Sequence, residues 1–386
     1  MSDTTKKRPT ALVISFSDLS SDGRVRRQID LIRQRCEVTA VGLSDPDMSG
    51  VSYIHAGPDP RNLRWQLRTL FWLGLRQNER YYWTQPTVKA ALTSIGARRF
   101  DYVIANDPSA LPLATRVAKG SPLLYDSHEY APAKQEDDLR WRLIMKPYYV
   151  SILKRYLSLA TRAITVSQGL AKAYRENFGV SMEVIMNAPH RQDLNPSLMQ
   201  NDKIRLVHHG NAVRRRKLGM LIELMELLDN RFTLDFILKP SERNYYDELV
   251  RKAAGNPRIA FRDPVPPERI AETINDYDIG VYSLPPANFN MANALPNKLF
   301  EFIQARLALA IGPTPEMANV VKQFDCGVVA EDFSVESLAT KLNELDRQDI
   351  ERFKRNACQA ADSLNYENVS KKLDAVFSSL AANPKE

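Results

Sequence analysis

At 386 residues, with 53 Lys and Arg against 46 Asp and Glu and a net charge of +7, the chain is too long for one ordinary domain and suits two. Hydrophobic residues make up 44%, as in a globular protein, and no uncharged apolar run reaches the roughly 18 residues of a transmembrane helix. The polar start MSDTTKKRPT does not read as a signal peptide, and Cys36, Cys326 and Cys358 have no metal-ligand spacing, so a reducing cytoplasm fits best; no cofactor is expected. The basic excess fits nucleic acid, an anionic membrane face or a phosphorylated substrate. With its cations spread along the chain and no zinc motif or RNA-recognition signature, nucleic acid ranks last and none is expected as a partner.

Short apolar runs alternate with helical patterns from end to end. The first series of predicted strands covers 11–16, 37–43, 101–105, 123–126, 163–167 and 183–187. The second covers 204–210, 233–238, 258–263, 278–283, 308–312 and 326–330. Runs this short and continuous suit parallel strands covered on both faces. Between the first two, Val25, Ile29, Ile32 and Cys36 recur at helical spacing. The fold expected is therefore α/β, doubly wound. The polar stretch 190–203 reads as a linker, dividing an N-terminal domain, 1–190, from a C-terminal domain, 204–363.

In open α/β sheets, ligands bind beyond the carboxyl ends of the strands, where helix N-termini attract phosphate, so the residues in those loops matter most. After the first strand, Ser20, Ser21, Asp22 and Gly23 lead into a helix; they form either an anion or acceptor cradle or simply a helix cap. After the fourth, Asp126-Ser127-His128-Glu129 puts three ionisable groups where a sheet has no structural need of them, and His128 suits a sugar hydroxyl or acid–base chemistry. After the seventh, Gly210 precedes Arg214-Arg215-Arg216-Lys217, cations that suit a diphosphate or a solvated face. In Ala294-Leu295-Pro296-Asn297-Lys298-Leu299-Phe300-Glu301, Pro296 sets a turn, Asn297 is placed to cap a helix, and Glu301 sits one turn in, where a carboxylate can hold vicinal hydroxyls. Segment 61–83 places Leu63, Leu67, Leu70 and Phe71 on one side of a helix, with Arg61, Arg64 and Arg68 around them. That pattern suits an anionic membrane surface, or an apolar stripe packed on the first domain's sheet.

Together these strings resemble the retaining GT-B glycosyltransferases of family four, the "glycosyl transferases group 1" type. The resemblance rests on Ser21-Asp22-Gly23-Arg24-Val25-Arg26-Arg27, Tyr125 to Glu129, Val166-Ser167, Asn187-Ala188-Pro189, the loop from Gly210 to Arg216, and Pro296 to Phe302. It implies two Rossmann-like doubly wound domains facing across a cleft, with a C-terminal helix, 364–386, crossing back onto the first. It implies a nucleotide-diphosphate sugar as donor, held by Gly210, Arg214, Arg215, Arg216, Asn293, Leu295, Pro296, Asn297, Lys298 and Glu301. Arg216 would meet the diphosphate, Glu301 the ribose and His128 the donor sugar; His128 and Arg216 are thus the catalytic candidates. Asp22, Gly23, Arg24, Asp126 and Glu129 fall on the acceptor side. The family's first glutamate is here Asn293 and its first loop cation Asn211, a gap that Arg214 or Arg215 could fill. The implied enzyme is a retaining, metal-independent, hexosyltransferase-like enzyme of bacterial surface polysaccharide or glycolipid assembly. Its acceptor is a carbohydrate or lipid-linked, and its place is cytoplasmic, peripheral at the inner membrane face. The rivals are a non-catalytic sugar-nucleotide-binding relative, and an epimerase or phosphorylase of the same fold.

Overall fold

The computed structural model describes residues 8–57, 63–199 and 203–382, apart from the side chains of 63, 64, 381 and 382. The chain divides into two compact units. The first comprises Met1–Met186, Asn288–Asn290 and Ser370–Glu386, and the second Asn187–Ala287 and Met291–Val369.

The first unit is built on β1 (Thr10–Ile14), β2 (Glu37–Gly42), β3 (Val51–His55), β4 (Tyr102–Asn106), β5 (Leu123–Ser127), β6 (Arg162–Thr165) and β7 (Glu183–Val184). Their spatial order is β3-β2-β1-β4-β5-β6-β7, all parallel. The second is built on β8 (Ile204–Asn211), β9 (Phe232–Lys239), β10 (Ile259–Arg262), β11 (Ile279–Tyr282), β12 (Ala308–Ile311) and β13 (Gly327–Val329). Here the order is β10-β9-β8-β11-β12-β13, again parallel. Both sheets thus begin with the Rossmann order 3-2-1-4-5-6, which leaves a crevice where the winding reverses, between β1 and β4 and between β8 and β11.

The strands are where the apolar runs predicted them, with β3 in addition. Val51-Ser52-Tyr53-Ile54-His55 buries only Ile54, because β3 is an edge strand and never shows the continuous apolar signature. The helix Gly23–Ile32 buries Val25, Ile29 and Ile32, while Cys36 lies beyond its end and is buried before β2. In the second unit Gly280 lets the Phe302 ring lie directly on β11, which seats the helix Asn297–Gln304 against the sheet.

The polar stretch expected to be a linker is fastened along the second unit. Gln192 N–H donates to Gln304 Oε1 at 2.9 Å, Arg306 Nη2 donates to Gln192 O at 2.6 Å, and Ser197 Oγ donates to Asn275 O at 2.7 Å. These bonds satisfy polar backbone that a buried loop would otherwise leave unpaired, and the division between units falls before them. The last helix is Tyr366–Ala382. From Ser370 onward it counts with the first unit, where Asp374 pairs with Arg35 at 2.6 Å and Phe377 meets the Tyr102 ring at 4.9 Å.

The helix Leu63–Gly74 does not put its whole apolar stripe on the sheet. Leu73 is buried and Trp65 and Trp72 pack against the core, but Leu67, Leu70 and Phe71 face solvent. Arg61 and the side chains of Leu63 and Arg64 lie outside the described residues.

Candidate functional site

In the second unit, β8 ends at the crevice beside β11. Gly210 there has φ +116° and no room for a side chain: a Cβ would lie 2.9 Å from Lys298 Cε, nearer still to its Nζ, and 3.4 Å from Arg216 Nη1. Only glycine combines that backbone with so close an approach. Lys298 enters from the helix Asn297–Gln304 and is 8% exposed, with its ammonium 5.9 Å from the Tyr282 ring centroid at the end of β11. Arg216 comes from the 3₁₀ turn Arg214–Arg216 and donates to Asn211 O at 3.3 Å. Neither cation has a carboxylate partner within ion-pair distance among the described residues. Burial, and then the Arg216 charge, press the Lys298 pKa down to about 8. Two cations held together, one of them buried, favour an anionic ligand.

Glu301 stands on the same helix, its pKa raised by burial and lowered in part by Lys298. His209 Nε2 is 3.4 Å from Glu301 Oε2. Burial and the Lys298 charge hold His209 well below its ordinary pKa, so it is a neutral neighbour of that carboxylate. Buried polar atoms without a hydrogen-bond partner among the described residues include His209 Nε2, Ser283 Oγ and Thr314 Oγ1. All three lie at or just beyond the carboxyl ends of β8, β11 and β12, and unmet hydrogen-bonding capacity of this kind commonly marks a ligand's place.

Not every expected donor residue joins this cluster. Arg214 is turned away: its Nη2 meets Glu248 Oε2 at 2.6 Å and its guanidinium covers the Tyr245 ring at 4.9 Å. In this arrangement its charge faces Glu248 rather than Asn211. Arg215 is exposed. Asn297 is the first residue of its helix, not the cap. Pro296 holds the cap position and no side chain caps the end, while Asn297 Oδ1 accepts from Asn187 Nδ2 at 3.4 Å. Leu299 N–H of that first turn donates to Pro296 O at 3.0 Å, and among the described residues no side chain caps the remaining amides, which suits an anion. Asn293 and Leu295 sit half-buried in the loop just before it.

In the first unit, the two motifs separated by about a hundred residues meet. Arg24 Nη2 contacts Asp126 Oδ1 at 2.7 Å, Arg24 Nε contacts Oδ2 at 3.0 Å, and Gln28 Nε2 donates to Oδ2 at 3.0 Å. Asp126 is 1% exposed, so its carboxylate is spent on Arg24 and Gln28 and does not face an acceptor. Arg24 is likewise occupied, donating also to Ile185 O at 2.9 Å. Asp22 caps its helix through Val25 N–H at 3.2 Å and accepts from Ser17 Oγ at 2.7 Å. Gly23 opens that helix without a positive φ. The cap reading of this loop thus accounts for both residues.

The network continues to the histidine. Asn106 Nδ2 donates to Gln28 Oε1 at 3.0 Å, leaving Asn106 Oδ1 to accept from His128 Nε2 at 3.2 Å. His128 N–H donates to Asp107 Oδ1 at 3.1 Å. The bond to Asn106 calls for a proton on Nε2, while Nδ1 lies 3.8 Å from Asp107 Oδ2. Asp107 takes φ +63° at the start of the helix Asp107–Ala118, a strained conformation for a residue with a side chain. Glu129 forms an ion pair with Lys134, and both line a cavity of about 350 Å³ with Ser17, Asp107 and Tyr149.

Lys134, Asp107, His209, Ser283 and Thr314 were not expected from sequence as site residues. Asp107 and His209 carried a signal, since each stands at the end of a strand beside the crevice. Lys134 carried none. Among the described residues no group of three or more His, Cys, Asp or Glu is arranged to hold a metal ion, and no helix is long and apolar enough to cross a membrane.

Residues 30–188 match the model of Glycosyltransferase Family 4. A search of curated protein sequences finds no match. Among solved structures, the chain is similar to sucrose-phosphate synthase from Thermosynechococcus elongatus, with a TM-score of 0.71 at 15% identity over 97% of this chain and 100% of that one. It is similar to Anabaena HepE in complex with UDP and glucose, with a TM-score of 0.67 at 16% identity over 96% and 100%. It is also similar to WaaG, a glycosyltransferase involved in lipopolysaccharide biosynthesis, with a TM-score of 0.63 at 15% identity over 95% and 99%. The fold is GT-B, and the family match and the fold together put the chain among the glycosyltransferases.

Proposed function

We propose that this glycosyltransferase moves a sugar from a nucleotide-diphosphate donor, bound at the β8–β11 crevice, to a carbohydrate or lipid-linked acceptor. The observation that carries the reading is the pair Lys298 and Arg216 flanking Gly210, two cations without a carboxylate partner among the described residues. With no Cβ at Gly210, a diphosphate can approach the backbone between them. Lys298, Arg216 and the uncapped amides of the Asn297–Gln304 helix would then stabilise charge as it develops on the leaving diphosphate. That accelerates transfer to the extent that it is stronger in the transition state than in the ground state. Glu301 would accept the ribose hydroxyls, with neutral His209 beside it. We assign His128, held by Asn106 through Nε2 and by Asp107 through its amide, to the transfer step. The neighbour crystallised with UDP and glucose supports a UDP-sugar as the first donor to try.

From the resemblance to the retaining family we propose that the transfer needs no metal and keeps the anomeric configuration, the leaving phosphate taking the acceptor's proton on the face from which the acceptor attacks. A role in surface polysaccharide or glycolipid assembly, at the cytoplasmic face of a membrane, follows the acceptor reading and is supported by the likeness to WaaG. Thermal melting against UDP-, GDP- and ADP-sugars tests the donor. Ligand at about 100 times Kd stabilises by about 2.7 kcal/mol, and the reading fails if no nucleotide sugar or nucleoside diphosphate moves the melting temperature. Slow donor hydrolysis without acceptor then separates an enzyme from a non-catalytic relative.

A further inference from the structure

The first sheet reverses its winding between β1 and β4, and the cavity of about 350 Å³ that Glu129 and Lys134 line lies beyond the carboxyl ends there. Ser17 follows β1, Leu43 follows β2, Asp107 follows β4 and Glu129 follows β5. Such a crevice is where an open α/β sheet takes a ligand. The volume is at the small end of the about 300–1,000 Å³ of small-molecule sites, which suits the tip of a substrate rather than its whole length.

Its wall carries hydrogen-bonding groups that the fold leaves unused. Thr87, on the first turn of the helix Pro86–Ile95, is 8% exposed, and its hydroxyl has no hydrogen-bond partner among the described residues. The same holds for the hydroxyls of Tyr149 and Ser109, and for Gln85 Oε1, whose amide nitrogen reaches Tyr148 Oη at 3.4 Å. Asp107 Oδ1 takes the His128 N–H at 3.1 Å. Its Oδ2 accepts no hydrogen bond among the described residues and lies 3.8 Å from His128 Nδ1. Between these groups Phe16, Leu43 and Pro108 add apolar surface. Unmet donors and acceptors set among apolar patches match a molecule with hydroxyls on its rim and C–H groups on its faces, which is a sugar ring.

Charge decides which sugar. Lys134 is the one cation among the described lining residues, and Glu129 is paired with it, so Asp107 leaves the wall net negative. The donor crevice of the second unit has the opposite character, two cations without a carboxylate partner among the described residues. A carboxylate or phosphate brought into the first unit's cavity would meet Asp107 and Glu129 with no free cation to answer it. We propose that this cavity receives the acceptor's terminal residue as an uncharged sugar, with Asp107 accepting from its hydroxyls and the Glu129–Lys134 pair turning acidic and phosphorylated residues away. The proposal rests on the reading of the chain as a transferase with a carbohydrate acceptor, and it adds the acceptor's charge to that reading.

The test is saturation-transfer NMR of the full chain, with the donor site filled by the tightest-binding of UDP, GDP and ADP. The probes are the methyl pyranosides of glucose, galactose, mannose and N-acetylglucosamine, each beside its 6-phosphate and its uronic acid. At least one neutral pyranoside is expected to bind the wild type, at least about tenfold more tightly than either acidic counterpart. Asp107→Asn keeps an acceptor for the His128 amide and tolerates the positive φ; it should weaken the neutral pyranoside at least about threefold. Tyr149→Phe removes only a hydroxyl and should do the same, so the test stands even if Asp107→Asn does not fold. Glu129→Gln frees the Lys134 ammonium and should tighten binding of the uronic acid at least about fivefold, a gain that loss of a merely structural carboxylate would not give. The proposal is overturned if no neutral pyranoside binds, or if an acidic counterpart binds the wild type as well as its neutral form does. It is also overturned if Glu129→Gln leaves that ratio unmoved, or if Asp107→Asn and Tyr149→Phe both keep wild-type affinity. Melting and nucleoside-diphosphate binding on the same samples verify the fold of each variant. A wild type that binds the nucleoside diphosphate but no sugar strikes the cavity and leaves the donor reading standing, and one that binds the sugar alone does the reverse.

Discussion

Gly210→Ala puts a single methyl group into the centre of the donor crevice. Two effects follow, and the structure contains a control that separates them. At φ +116° any residue but glycine is strained, by about 1–3 kcal/mol. Gly255, in the same unit, has φ +91° and open space around its missing Cβ, so Gly255→Ala carries the strain alone. At Gly210 the new Cβ would also lie 2.9 Å from Lys298 Cε and 3.4 Å from Arg216 Nη1, well inside contact distance for the first. Lys298 is almost wholly buried and has little room to yield, so its ammonium must leave the position it shares with Arg216. Both variants should lose about 1–3 kcal/mol in urea unfolding. Only Gly210→Ala should also lose at least about tenfold, or about 1.4 kcal/mol, in affinity for the tightest-binding of UDP, GDP and ADP. Calorimetric titration reads the affinity. Wild-type affinity in Gly210→Ala, or equal losses in the two variants, would refute the placement of the phosphates beside Gly210.

Three further outcomes are expected. Asp126→Ala leaves Arg24 buried and unpaired and should destabilise the chain by about 3–5 kcal/mol in urea unfolding, with Arg24→Ala adding much less on top of it than it costs alone; additive losses would contradict the shared network. His128→Ala should slow transfer by about 100-fold and leave diphosphate affinity unchanged; a rate within about twofold of wild type removes His128 from the reaction. Lys298 titrates at about 8 in the fold against its ordinary 10.5. Between those values the unfolded chain holds a proton that the native chain lacks, so stability rises with pH while diphosphate affinity falls as the ammonium is lost. Unfolding and binding measured across that window should move in opposite directions, and parallel changes would contradict the role given to Lys298.

The two sheets were legible in the sequence because parallel strands covered on both faces read as unbroken apolar runs, from Ala11 to Ile14 and from Ala308 to Ile311. The edge strand β3 was not, since solvent on one side breaks the run at Ser52 and His55. The string from Pro296 to Glu301 pointed to the crevice because its chemistry is local: one turn of one helix carries both Lys298 and Glu301. Charges that meet across the fold are less legible. Asp126 looks like a ligand beside His128, yet its partner Arg24 is 102 positions away. Arg214 looks like a phosphate ligand beside Arg216, yet Glu248, 34 positions away, draws it off. A sequence shows that an ionisable group is present at a strand end. It does not show whether the fold has already neutralised it.

Arg216→Ala tests the donor site most directly, through calorimetric titration with the preferred nucleoside diphosphate and with its free nucleoside. A charged hydrogen bond to phosphate contributes about 1.5–3 kcal/mol, so the diphosphate should bind roughly tenfold to a hundredfold more weakly while the nucleoside binds as it does to the wild type. Equal loss for both ligands, or no loss for either, would contradict the claim that Arg216 and Lys298 hold a diphosphate at the end of β8.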